Sequence, residues 1–412
     1  MTDIYEPNLL DPELMADPHG GFKRLREEAP VCRGWTMGGD PAWYVTRAAD
    51  VRAILSDPRF VVTNVNSAPD AGGDPRIQLV ANLGVSEELA TYVVDLLPDR
   101  DGADHTRLRR LVAPAFGGRR IANLRPRVKE ITDSLLDEIE AGGPGPVDLI
   151  NSFAYPLPIT VICELVGVPE SDRPAWREWG DALLTLDPTR FAGALQAMVD
   201  QVKDLLERVR AEPADDLISS LIKAQADDGG YLSDDDLVKL VITLVNTGHE
   251  TTAHLLSNAV AGLLAHPEQL ELLRREPERW PVAVHEMMRL WTPVRVTALR
   301  YATEDVEIGG VPISAGEAVQ PVLISANTDP GEHSDADRFD IRRREGERGE
   351  GHVGFGHGIH YCLGAALARQ EAEIALSTLF SRFPDLALDG EPQWLAGPLM
   401  VRMSQLPVKL RG

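Results

Sequence analysis

The stretch "FGHGIHYCLGAALARQEAEIAL", residues 355–376, decides how the rest of the chain is read. Glycines at 354, 356 and 358 lead up to a cysteine, and from Leu363 onward the residues are mostly strong helix formers. The pattern predicts a backbone loop that approaches something closely, then a helix with Cys362 at its entrance. A helix N-terminus favours a thiolate. Three readings are open: a nucleophile, which needs a base such as His357 or His360; a metal ligand; or an inert buried thiol, the common fate of a free cysteine. A four-ligand zinc site lacks soft partners, since the other cysteines are Cys32 and Cys163. A single thiolate does suit axial ligation of haem iron, where it pushes electron density onto the metal and aids O–O cleavage. That reading needs cationic groups for two propionates, an oxygen-side helix and a lock on the loop.

The 412 residues carry 64 acidic against 41 basic side chains, a formal charge of −23. Such a balance repels nucleic acid and anionic membranes. The start, "MTDIYEPNLLDPELMADPHGG", has no basic segment followed by an apolar run, and no run reaches the length of a membrane span. A cytoplasmic monomer is expected. Length alone favours two or more domains, but no flexible linker or repeat divides the chain, so one mainly helical domain over 1–412 is the reading.

"AWYVTR" alternates like a strand, and residues 299–325 hold strand-like pieces with "IGG" and "AGE" turns. Residues 66–75, "NSAPDAGGDP", read as loop. Between 233 and 267 runs "SDDDLVKLVITLVNTGHETTAHLLSNAVAGLLAHP". Ser233 caps it, aspartates fill its first turn, and its middle is apolar nearly all round, so it belongs in the core. Between His105 and Lys129 there are eight Arg or Lys and no Asp or Glu: Arg107, Arg109, Arg110, Arg119, Arg120, Arg125, Arg127 and Lys129. This local reversal of charge can steer an acidic partner.

The ordered set of motifs resembles a cytochrome P450 of the soluble bacterial type, close to the macrolide- and polyketide-tailoring members. "FGHGIHYCLG" resembles the haem-binding loop; "EMMR", 286–289, the E-x-x-R; "TGHETT", 247–252, the oxygen-activating segment; "HTRLRR", 105–110, the haem-contacting helix. "NTDPGEHSDADRFDIRR", 327–343, resembles the stretch with the arginine that completes the lock. The resemblance implies a large helical domain with a small β-rich region and haem b on Cys362. His105, Arg109, Arg300 and His360 would hold its propionates through charge-assisted hydrogen bonds. Glu286 and Arg289 would pair with Arg338, with Arg342 close behind as the third member. Glu250 and Thr251 would relay protons, with Gly248 letting the helix open and Thr252 a second hydroxyl. The ordinary alternative is a threonine bonded back to the carbonyl four residues earlier.

Asn246 and Thr247 depart from the usual apolar residue followed by Ala or Gly, and a buried polar side chain there needs a partner. With Val294, Val296, Thr297 and Leu399 they are the expected pocket residues. Residues 61–97 would form a lid and 180–195 a roof. The implied activity is hydroxylation or epoxidation of a medium-to-large organic substrate in secondary metabolism, with electrons from a ferredoxin and its reductase. Oxidative coupling or desaturation on the same fold is the alternative, then a non-catalytic haem sensor.

Overall fold

The computed structural model describes residues 6–63, 74–143, 145–227, 232–344 and 349–410. Most of the loop expected at 66–75, and with it part of the expected lid, lies outside them; of the remainder, Pro75–Ala81 and Glu87–Val94 are helices. The chain forms two compact units: Met1–Gly73, Thr132–Ala154 and His254–Gly412 in the first, Asp74–Ile131 and Tyr155–Ala253 in the second. Two unbroken helices, Gly118–Ala141 and Asp234–Ala265, contribute residues to both. The fold is mainly helical with a small open β region, as expected.

The first unit carries a five-stranded sheet. Its strands are β1 (Val31–Trp35), β2 (Pro41–Val45), β3 (Phe60–Val61), β4 (Arg300–Ala302) and β5 (Ala318–Pro321), in the order β1-β2-β5-β4-β3. Only β2 and β5 run parallel, with Ala42 opposite Ala318. Helix Ala48–Ser56 packs its apolar face, Val51, Ile54 and Leu55, into a core with Val45, Phe60 and Val319. The "IGG" turn joins Val306–Ile308 to Val311–Ile313, with Gly309 and Gly310 at φ 58° and 84°. Two successive positive φ values are the geometry of a tight hairpin turn that glycine adopts without strain.

The second unit is helical. Helix Asp234–Ala265 begins with a reciprocal cap. Ser233 Oγ accepts from the Asp236 N–H at 3.1 Å, and Asp236 Oδ2 accepts from the Ser233 N–H at 3.1 Å. Leu237, Val238, Val241, Ile242 and Val245 are buried around it, as its all-round apolar pattern requires. The roof segment is a helix end at Leu184, a turn with Leu186 at φ 51°, and a new helix from Phe191. Among the described residues no helix is long and apolar enough to cross a membrane.

Candidate functional site

In the first unit, Cys362 lies at the end of the glycine loop, just before helix Ala365–Arg382. Its N–H donates to the Phe355 carbonyl at 2.8 Å, closing the loop on itself. Gly356 and Gly358 adopt φ 73° and 70°. A Cβ on Gly358 would sit 2.1 Å from the Leu55 carbonyl oxygen, so the loop backbone rests directly on helix Ala48–Ser56. Cys32 and Cys163 are buried, and burial pushes their thiols up to about 11 and about 12. Cys362 is only half-buried. It is therefore the one thiol placed for chemistry. Among the described residues no group of three His, Cys, Asp or Glu side chains is arranged to hold a metal ion. A single accessible thiol on a glycine-opened loop is the donor set of a haem-thiolate site, and the residues fit that group.

The lock lies behind the loop. On helix Trp280–Leu290, Arg289 donates to Glu286 through Nε at 2.7 Å and Nη2 at 2.8 Å. Both are almost fully buried. The third member is Arg343, not Arg338 or Arg342. Arg343 Nε donates to Glu286 Oε1 at 3.0 Å. Arg342 instead donates to Glu276 at 3.0 Å. The Arg338 side chain is exposed, and only its carbonyl takes part, accepting from Arg289 at 3.2 Å and Arg343 at 2.8 Å. The reason is one of reach: the turn over 335–338 presents carbonyls to the lock, while Arg343 returns from beyond it. Arg289 Nη1 donates to the carbonyls of Asn327 and Ala336, and Asn327 Oδ1 accepts from the Val353 N–H at 2.8 Å. Gly354 then passes Met288 so closely that a Cβ would meet its sulfur at 2.8 Å. The lock is thus tied to the foot of the cysteine loop.

Arg300, on β4, is buried, and its Nη1 donates to the carbonyls of Ala298 and Leu299. His360 is half-buried in the short helical turn Gly358–His360. The bridge Val294–Met400 and the Arg295 N–H bond to the Leu399 carbonyl at 2.9 Å set Val294 beside the turn carrying Leu399, while Val296 bridges to Val322 and the Thr297 N–H donates to the Pro321 carbonyl at 3.2 Å. Val296 is buried in an apolar cluster with Phe22, Leu25 and Ile324, which gives it a packing role.

In the second unit, His105 is buried on helix Gly102–Val112, with Arg109 half-buried one turn later. On helix Asp234–Ala265, Glu250 is buried and Oε2 accepts from the Tyr155 hydroxyl at 2.6 Å. His249 Nε2 lies 3.3 Å from Glu250 Oε1, and its Nδ1 lies 2.6 Å from the Val245 carbonyl. Sequence reasoning missed Tyr155 and His249. Thr247, Thr251 and Thr252 each donate to the carbonyl four residues earlier, at 2.7, 2.9 and 3.3 Å. The back-bonded alternative is what the helix adopts. The helix is also unbroken at Gly248, contrary to the expected opening. Gly248 is there because Ile162 packs against it; a Cβ would lie 2.7 Å from Ile162 Cγ1. Asn246 Nδ2 donates weakly to the Met198 sulfur at 3.5 Å, while its buried Oδ1 has no partner among the described residues.

The basic stretch is partly neutralised. Arg127 pairs with Glu164 at 2.8 Å and Glu130 at 3.0 Å, Arg107 lies 3.9 Å from Asp104, and Arg120 lies 3.8 Å from Asp215. Arg110 and Arg119 are exposed and, among the described residues, make no ion pair.

The family model described as Cytochrome P450 matches residues 181–280 and 281–409. The chain is 43% identical to Cytochrome P450 107B1 of Saccharopolyspora erythraea, covering 99% of both chains. It is 40% identical to 6-deoxyerythronolide B hydroxylase of the same organism, covering all of both. It is also similar to the solved structure of the tirandamycin C-bound P450 monooxygenase TamI, at 37% identity and a TM-score of 0.85, covering 98% of this chain and 99% of that one.

Proposed function

The chain belongs to the cytochrome P450 family and is a monooxygenase with haem b as cofactor, and from that premise we propose which of its residues do the work. Cys362 is the residue whose thiolate would hold the haem iron. The observation that carries this is its half-buried position on a loop tied by Asn327 to the lock, while the other two thiols are buried. The test is the reduced protein with carbon monoxide, which should show the strongly red-shifted Soret band of thiolate ligation. Retention of that band and of full haem content in Cys362→Ala would refute the assignment.

When bound, the haem supplies dioxygen activation and transfer of one oxygen atom to the substrate. His105, Arg109, Arg300 and His360 are the residues that would hold its propionates by charge-assisted hydrogen bonds. Thr251 spends its hydroxyl proton on the Thr247 carbonyl. Its oxygen is then left as an acceptor, which fixes a water rather than giving up a proton. Glu250, in the same apolar helix, is the group that gives the proton. A fixed acceptor and a buried acid one residue apart make an ordered route without solvent reorganisation.

The substrate is a medium-to-large natural product, a reading supported by the resemblance to polyketide-tailoring members and by the 6-deoxyerythronolide B and tirandamycin C in the names of the similar proteins. Asn246 supports a substrate bearing hydroxyl groups, because its unpartnered Oδ1 is a buried acceptor that asks for a donor. Thr247, Val294, Thr297 and Leu399 are proposed as further pocket residues, which select by shape. Electrons come from a ferredoxin and its reductase, and Arg110 and Arg119 are the cations left over to steer it.

A further inference from the structure

His249 lies within the oxygen-side motif, yet the reaction as described does not use it. The carbonyl of Val245 can only accept, so at 2.6 Å the His249 Nδ1 must carry a hydrogen. In a neutral imidazole the other nitrogen, Nε2, is then a bare lone pair. That lone pair lies 3.3 Å from Glu250 Oε1. Two lone pairs facing each other at this distance repel, and both residues are buried. The arrangement becomes attractive when one proton lies between them, on the nitrogen or on the oxygen.

The surroundings hold the pair in place. Tyr155 donates to the other carboxyl oxygen, Oε2, at 2.6 Å. Arg177 lies over the Tyr155 ring at 4.6 Å. The backbone of helix Arg173–Leu184 closes over both side chains at Gly180, where a Cβ would lie 3.2 Å from His249 Nε2 and 3.4 Å from Glu250 Oε1. An added Cβ at 180 would press on the His249 ring, which would have to give by a few tenths of an ångström.

We infer that His249 and Glu250 share one stored proton, and that His249 and Tyr155 are positioning residues that hold Glu250 charged with it for delivery toward the water at Thr251. This deepens the reading of Glu250 as proton donor and rests on it. Only a proton moves. The N–H or O–H bond breaks, its electron pair stays on His249 or Glu250, and bulk water restores the proton after each delivery.

The test begins with the wild-type holoenzyme in its reduced carbon monoxide form, with nitrogen-15 in its histidines. The His249 Nε2 resonance should be displaced from the free lone-pair position, fully toward the protonated one if the nitrogen carries the proton and part of the way if Glu250 Oε1 carries it, and Glu250→Gln should reduce that displacement. The second arm is substrate-free nicotinamide oxidation with saturating surrogate ferredoxin and reductase, in water and in deuterium oxide. Tyr155→Phe and His249→Phe should slow it about tenfold and raise its solvent isotope effect at unchanged haem content. A purely structural cluster would leave the isotope effect where it was. An Nε2 at the position of a free lone pair in the wild type, neither protonated nor hydrogen-bonded, beside a slowed Glu250→Gln overturns the shared proton alone. A protonated Nε2 beside a Glu250→Gln of wild-type rate and isotope effect overturns the delivery and the Glu250 assignment together.

Discussion

Replacing members of the lock separates the arginine that the fold uses from its neighbours. The Glu286 carboxylate receives Arg289 Nε at 2.7 Å, Arg289 Nη2 at 2.8 Å, Arg343 Nε at 3.0 Å and the Asp340 N–H at 3.1 Å. Glu286→Ala leaves the Arg289 guanidinium, 1% exposed, without its counter-charge. Breaking a buried pair by removing one partner costs about 3–5 kcal/mol, a large part of the ~5–15 kcal/mol that holds a typical fold together. Arg343→Ala leaves Arg289 and Glu286 paired. It loses one charged bond to Glu286 and those to the carbonyls of Ser334, Asp335 and Arg338, for about 2–3 kcal/mol. Arg338→Ala removes an exposed side chain and keeps the carbonyl, so it should stay within about 0.5 kcal/mol. The assay is the denaturant midpoint of the holoprotein, followed by far-ultraviolet dichroism and by the Soret band, with haem per chain measured beforehand. Because Asn327 links the lock to Val353, Glu286→Ala should lose the Soret band at lower denaturant than it loses helix. An Arg338→Ala variant as damaged as Arg343→Ala would refute the assignment of the third arginine, and a fully loaded Glu286→Ala with an unmoved midpoint would refute the lock itself.

Three further outcomes are expected. Thr251→Ala should keep haem and accept electrons but oxidise nicotinamide with peroxide released in place of product; a methoxy-bearing side chain at 251 should restore coupling, since acceptance by the oxygen is what the geometry requires, and wild-type coupling in the alanine variant would transfer the role to another group. Arg110→Glu with Arg119→Glu should slow reduction by ferredoxin most at low salt, where charges are least screened, and reduction rates equal to wild type across ionic strength would remove these two arginines from docking. Burial pushes Glu371 up to about 8 from 4.5; a raised folded value means stability that is full below about pH 4.5 and lost as pH rises toward 8, at about 1.4 kcal/mol per unit, so Glu371→Gln should lose less stability than wild type between pH 5 and pH 8. His285 and His333, lowered to about 4, act in the opposite sense and lose stability as pH falls below about 6.5, which is why the paired comparison with Glu371→Gln, rather than the wild-type curve alone, isolates the carboxyl.

What the sequence makes legible is set by how far apart the interacting residues lie. Glu286 and Arg289 are three apart on one helix, a spacing that brings side chains together before any tertiary structure is known. Cys362 is legible because glycines and a helix start surround it in the chain itself. The third arginine is not, because "DRFDIRRR", residues 337–344, offers four candidates and the choice depends on a turn whose carbonyls face inward. Tyr155 lies 95 residues from the carboxylate it bonds, and "AYPLP" carries no polar pattern that points to Glu250. Gly248 shows a different limit. A glycine in a core helix has two physical uses, to free a carbonyl or to admit a neighbour, and only the position of Ile162 decides for the second. His249 marks the boundary most sharply. It stands inside a legible motif, but an imidazole acts through two distinct nitrogens. Val245, one turn earlier on the same helix, fixes the hydrogen on one of them, and that in turn decides what the other offers to Glu250. A histidine's residue type is in the sequence; its protonation is a property of the two atoms it meets.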